Sequence, residues 1–424
     1  MWLIIFSILL ITIYLNYTSV IKLGTCLNHY TLYTIVSLGS IALYYYNPIF
    51  MVADNTIILY IIGTFFYNSS ILFYKKKDFN IEGCKNYIIP IKIPLFIIII
   101  TSILLIPFVL VLIGQLQSGM ELWLIRKTLR IENVRSTFEN MISLYLLLPF
   151  SMVITVISYY RNFTSSKYDK ILIVSSFLIV IAISLIDGGA RTIIMEWLFV
   201  YFIVLIYKKS KFKNIINSNG NVNLWLLSVP IIAGIVITSQ RGITGDDKSF
   251  LDAICESFTI HIGLLDYFIN NEYFDKTDLT LGLSTFENIY LMINLFFKTL
   301  FGVDYIFGYS IVDNTIQDYY LLNNGEFYNA YVSLYFRFYR DWGWIGIVLG
   351  PILLSSFLTF LYRKSTKNSF YFLIYLYSLA ICPRLNQELL FSKVPYFLFI
   401  LYMIIIYKIF IIKYNKKTRT NYER

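Results

Sequence analysis

The sequence predicts an all-α, polytopic integral membrane protein with one long outer loop, and three observations carry that prediction. Hydrophobic residues fill 58% of the 424 positions and charged residues only 14%. Apolar stretches of bilayer-spanning length recur along the chain. The basic residues between them alternate regularly in density from one connection to the next. A soluble domain is about a quarter charged, because its surface must be wetted. This chain lacks that surface, and in lipid a spanning segment satisfies its own backbone only as a helix or a closed barrel. Aromatic content of 18% excludes a disordered chain, and nine prolines with twenty glycines exclude a collagen-like one.

A span needs roughly 20 mostly apolar residues. The first, MWLIIFSILLITIYL, has neither a preceding basic region nor a small-residue cleavage site, so it reads as a span and not as a removed signal. Taken in order, the expected spans are 2–21, 30–47, 55–74, 93–114, 141–160, 171–187, 192–207, 222–239, 343–362, 370–389 and 395–412. That makes about eleven, within a range of roughly 10 to 12, in a single membrane domain over residues 1–424. No internal repeat is visible, which weighs against a secondary transporter.

Orientation follows from the basic residues. Lys75, Lys76, Lys77 and Lys85 follow the third span; Arg161, Lys167 and Lys170 the fifth; Lys208, Lys209, Lys211 and Lys213 the seventh; and Arg363, Lys364 and Lys367 the ninth. With Lys416, Lys417, Arg419 and Arg424 in the tail, all fall on one side if the N-terminus is outside. Most of the net charge of +10 is then a topological signal, and nothing in it points to nucleic acid.

The segment 241–341 then lies outside, and a connection of that length is usually functional. Within it, Asp252, Glu256, Thr259, Gly263, Asp266 and Asn270 recur at helical spacing on one face. Phe250, Ile254, Phe258, Ile262, Leu265 and Ile269 occupy the other. This predicts an amphipathic helix on the membrane surface or on the spanning bundle. A second apolar stretch, ENIYLMINLFFKTLFG, reads as re-entrant or interfacial.

Arginine is distributed against the topological trend. Two-thirds of the arginines are outer: Arg126, Arg130, Arg135, Arg191, Arg241, Arg337, Arg340 and Arg384. Lysine suffices for topology, whereas the planar guanidinium grips phosphate or carboxylate in a bidentate way. An outer site lined by arginine implies a ligand carrying phosphate or pyrophosphate. The bland account is pairing with outer acids such as Asp246, Asp247, Glu287, Asp313 and Asp341. Arg191 and Arg241 are the stronger site candidates, because each stands at a membrane boundary, where a charge is costly. Arg337 and Asp341 are four residues apart and can pair on a helix. Tyr328, Tyr331, Tyr335, Tyr339, Trp342 and Trp344 crowd the same stretch, as an interfacial belt or as stacking surfaces for sugar rings.

His261 falls on the apolar face of the amphipathic helix with Phe250, Ile254 and Phe268. A packed, hydrogen-bonded histidine is the default there; a general base is the sharper reading if that face covers the outer mouth of the bundle. Asp266, Glu287 and Asp341 are acidic alternatives for that role, and Glu196, within the seventh span, is expected to bond a neighbouring helix. Cys26, Cys84, Cys255 and Cys382 are scattered without metal-ligand spacing, and P-loop, GxSxG, HExxH and DxD motifs are missing. No metal and no cofactor is therefore expected, and an outer site would use a lipid-linked activated donor.

The ordered set DGGAR (187–191), SQRG (239–242), the long outer loop and FYNAYVSLYFRFYRDWGWIG (327–346) resembles the Wzy-type oligosaccharide repeat unit polymerases, which build O-antigen and capsule. The residue-level likeness covers about 187–346 and the topology the whole chain. The resemblance implies a metal-independent glycosyltransferase of GT-C-like fold in the bacterial inner membrane, its site facing the periplasm. The growing glycan would pass from undecaprenyl pyrophosphate to the non-reducing end of an incoming lipid-linked repeat unit. Arg191 and Arg241, with Arg337 and Arg340, would contact pyrophosphate; His261, Asp341 and Glu287 are the catalytic candidates. Partners would be the lipid-linked donor and acceptor, with a chain-length regulator and a flippase nearby. Relatives with paired R-x10-G loops differ, since neither Arg191 nor Arg241 has glycine at that spacing. An O-antigen ligase is the neighbouring alternative and a lipid-linked oligosaccharide flippase the alternative of another class.

Overall fold

The computed structural model describes residues 2–48, 50–75, 89–120, 137–161, 167–186, 191–208, 250–270, 279–302, 320–322, 325, 327–328 and 333–411. These residues are mostly helical: α1 Trp2–Leu23, α2 His29–Tyr46, α3 Asp54–Ser69, α4 Lys92–Gln117, α5 Leu148–Arg161, α6 Lys167–Ile186, α7 Arg191–Lys208, α8 Phe250–Asn270, α9 Glu287–Phe301, α10 Leu334–Ser365, α11 Ser369–Ile381 and α12 Val394–Ile406. A short helix, Thr137–Ile142, leads through a π turn into α5. A minimal antiparallel hairpin pairs β1, Tyr320–Leu321, with β2, Phe327–Tyr328.

Five helices among the described residues are long and apolar enough to cross a membrane, and three shorter apolar ones accompany them. The chain is thus a helical membrane protein. The expected span 222–239 lies outside the described residues. The expected span 370–389 differs: α11 stops at Ile381, because Pro383 lacks the N–H that the next turn needs. The chain continues through 3₁₀ turns at Cys382–Arg384 and Leu390–Ser392 before α12.

Packing divides the chain into two compact units. The first comprises Met1–Asp78, Asp247–Phe360 and Ile381–Val394. Its α2, α3 and α10 meet through hydroxyl groups: Tyr33 Oη donates to Tyr335 Oη at 2.5 Å, Ser37 and Thr64 lie 2.6 Å apart, and Tyr30 bonds both Ser70 (2.6 Å) and Thr359 (2.7 Å). Such bonds join helices where water cannot serve the polar groups. A Cβ at Gly63 would run into the Tyr335 ring, so glycine there sets how closely α3 and α10 approach.

Helix α10 is bent where Trp342 and Gly343 leave helical geometry, Gly343 at φ +57°. Only glycine adopts that conformation without strain. Beyond the bend, the backbone of Phe338 stands against Gly346, where any Cβ would collide with it. The first stretch of α10 is thereby set apart as an independently placed helix before the apolar part begins.

The second unit comprises Phe79–Asp246, Leu361–Ala380 and Pro395–Arg424. Here α6 packs on α4, α5 and α7. Glu196 on α7 is buried and accepts a hydrogen bond from the Tyr377 hydroxyl of α11, the interhelical role its position within a span suggests.

Candidate functional site

The predicted site residues whose side chains the structure describes all lie in the first unit. Helix α8 packs on α2 and α3, burying Ile262 and Leu265 of its expected apolar face. Phe258 of that face is exposed, and Thr259 and Gly263, expected on the polar face, are buried as well. Gly263 lies against the Phe50 ring, and Asp266 accepts hydrogen bonds from the Ala53 N–H (2.9 Å) and the Thr56 hydroxyl (2.7 Å). Ala53 caps α3 without a side chain of its own to do so. Asp266 therefore ties α8 to the start of α3, where a negative charge also complements the helix dipole.

His261 is consequently sealed in, 1% exposed, with its ring 5.5 Å from that of Tyr60. The expected hydrogen-bonded histidine is only half realised: it is packed, but among the described residues neither ring nitrogen has a partner, and the Tyr60 hydroxyl has none either. Burial pushes its pKa down to about 3, so the imidazole is neutral at physiological pH.

Asp341, at the end of the first stretch of α10, accepts from the Thr280 hydroxyl (2.5 Å) and from the N–H groups of Ser284 (2.9 Å) and Thr285 (2.7 Å). The backbone adds Thr280 N–H to Arg340 O and Leu281 N–H to Asp341 O. Its carboxylate thus organises the turn that leads into α9. That is a different use from the helical pair with Arg337 that the spacing suggests.

Arg337 instead forms a buried ion pair with Glu287, at the start of α9, and donates to Ser284 O at 2.8 Å. Its other terminal nitrogen lies 3.5 Å from Glu388, which also pairs with Lys393 at 2.7 Å. Arg384 contributes to the field at Glu388 as well. Burial alone would raise the Glu388 carboxyl, but Lys393, Arg337 and Arg384 outweigh it and hold the group below the usual carboxylate range. Lys393 is held above its ordinary value, burial being outweighed chiefly by Glu388. Asn288 Nδ2 donates to Phe391 O at 3.0 Å and Leu334 N–H to Leu385 O at 3.2 Å, tying α9 and α10 to the segment after α11.

The result is a cluster in which Arg337, Arg384 and Lys393 face Glu287 and Glu388; Arg337 and Glu287 are buried, the other three are partly exposed, and Arg340 is buried one turn along α10. Of the predicted residues the structure brings together Arg337 and Glu287. Asp341 and Arg340 flank them, and His261 stands apart beside Tyr60. Arg191 opens α7, in the second unit, with its side chain outside the described residues; Arg241 lies outside them altogether, as do Arg126, Arg130 and Arg135. Glu388, Arg384 and Lys393 were not singled out as site residues. The first two fall inside an apparent span, and only Pro383 signals that the helix has ended. Among the described residues no three His, Cys, Asp or Glu side chains group as metal ligands.

An arrangement of this kind can bind an anion or stabilise one as it forms, since guanidinium and ammonium groups in a poorly hydrated site act strongly on nearby negative charge. Comparison with protein-family models, with curated proteins and with solved structures finds no match to the chain.

Proposed function

We propose that the chain is a Wzy-type oligosaccharide repeat unit polymerase of the bacterial inner membrane. In the transfer, an acceptor sugar hydroxyl attacks the anomeric carbon of the donor glycan, the bond from that carbon to the phosphate oxygen breaks, and undecaprenyl pyrophosphate leaves and takes up the hydroxyl proton. Charge accumulates on the departing pyrophosphate, and fixed cations there lower the barrier. The observation that carries the reading is the gathering of buried Arg337 with the partly exposed Arg384 and Lys393 into one cluster. Of the segments that supply it, 280–288 and 333–341 belong to the connection that the basic-residue pattern assigns to the outer side, and 382–393 lies at the outer end of the tenth expected span. The likeness of DGGAR, SQRG and the 327–346 segment to the polymerase family supports it independently.

Gene deletion followed by electrophoresis of lipopolysaccharide tests the proposal. Loss of a polymerase leaves lipid A core carrying a single repeat unit. Bare core would identify a ligase, and units trapped inside the cell a flippase; either overturns the proposal. Arg191→Lys and Arg241→Lys keep charge but remove the guanidinium fork. Normal chain length in both, at normal expression, would remove these two residues from pyrophosphate binding.

A further inference from the structure

Glu388 differs from Glu287, the other carboxylate of the cluster, in how it is held. Glu287 is 5% exposed and sits on a helix, locked to Arg337. Glu388 is 15% exposed and Lys393 36%, and both belong to the irregular segment between α11 and α12. Glu388 N–H bonds Arg384 O at 3.0 Å in a single turn, so its side chain can be displaced without unwinding a helix. Two residues earlier, Asn386 is 1% exposed with both side-chain amide atoms unpartnered. Ser333 Oγ, fully buried and also unpartnered, lies at the same junction, where Leu334 N–H bonds Leu385 O. Buried polar groups without partners are rare, and they mark places where water or a ligand completes the bonding.

Carboxylate and phosphate present similar oxygen pairs to guanidinium and ammonium groups, but phosphate carries more charge and more acceptors. We propose that Glu388 is a built-in counter-ion occupying a phosphate site: a di- or polyanionic phosphate displaces its carboxylate from Lys393 and Arg337 and takes the Asn386 amide as a further donor. In the unliganded protein the carboxylate helps neutralise buried Arg337 and the partly exposed Lys393, which offsets the cost of leaving them unpaired. The natural ligand would be the pyrophosphate of the function proposed above. The displacement itself does not depend on glycan transfer.

The full-length protein, purified in neutral detergent, is titrated with inorganic pyrophosphate at fixed ionic strength while its thermal midpoint is followed. A parallel arm uses phosphatidylcholine nanodiscs with and without phosphatidic acid, to present the phosphate on a lipid. Removing the competing carboxylate in Glu388→Gln lowers the half-saturating concentration by about fivefold or more, or reveals binding where the wild type shows none. Lys393→Gln raises it by about fivefold. The same ordering with phosphatidic acid in place of pyrophosphate sustains the inference and identifies a lipid headgroup as the source. Equal half-saturation in Glu388→Gln and wild type, or no response from any protein in either arm, overturns it. Should Glu388→Gln fail to fold, Lys393→Gln decides: an unchanged midpoint concentration overturns the site. A deletion strain with bare core would refute the polymerase reading while leaving the anion titration intact, so the two failures are distinguishable.

Discussion

Acidification from pH 7.5 to 5 destabilises this protein through His261. The side chain is 1% exposed, without a hydrogen-bond partner at either nitrogen, and burial lowers its pKa from 6.5 to about 3. The folded state thus refuses a proton that the unfolded chain accepts. Stability is intact above pH 6.5 and is lost progressively as the pH falls towards about 3. At pH 5 the unfolded histidine is about 1.5 units below its midpoint, so the loss is about 2 kcal/mol, with a ceiling of about 5 kcal/mol at still lower pH. Thermal or denaturant unfolding of wild type and His261→Phe, each at pH 7.5 and 5, isolates the contribution, because His29 is common to both. The variant loses about 2 kcal/mol less than wild type over that interval. At pH 7.5 it is also at least as stable, because a phenyl ring removes two unpaired buried nitrogens. Equal pH sensitivity in both proteins, or a variant destabilised by more than about 2 kcal/mol at pH 7.5, would refute the reasoning.

Three other substitutions probe the first unit. Arg337→Met strands Glu287 as a buried carboxylate and costs about 3–5 kcal/mol, while Arg337→Met with Glu287→Met recovers most of it, as read from detergent melting curves. Asp341→Asn leaves one carbonyl oxygen for the hydroxyl and two N–H groups that the carboxylate now serves, and costs about 2 kcal/mol. Because that turn leads into α9, hydrogen exchange should quicken first at residues 280–288. Gly343→Ala places a side chain at φ +57° and costs about 1–3 kcal/mol, seen as a lowered melting midpoint.

Much of the helical layout is legible in the sequence because it is a local property. An apolar run of twenty residues has one low-energy conformation in lipid, and α1 to α4 stand close to where such runs place them. The end of α11 is local too, carried by Pro383, but an unbroken apolar composition across 370–382 hides it. The face of α8 is not local. Its apolar stripe is plain in the sequence, and Ile262 and Leu265 are buried, yet Thr259 and Gly263 are buried too, and Asp266 reaches Ala53 and Thr56 from more than 200 positions away.

The site divides along the same line. Composition determines a helical membrane chain, and the sequence shows in which connections its guanidinium groups gather, since each residue reports its own cost of transfer and its own charge. Which carboxylate meets which cation is decided only by the tertiary structure. Arg337 and Asp341 are neighbours on a helix, yet Asp341 is taken by the turn at 280–285, and Arg337 finds Glu287 and Glu388 some fifty residues to either side. An ion pair depends on distance in space, and in a folded chain a residue fifty positions away can be nearer than one a helical turn along.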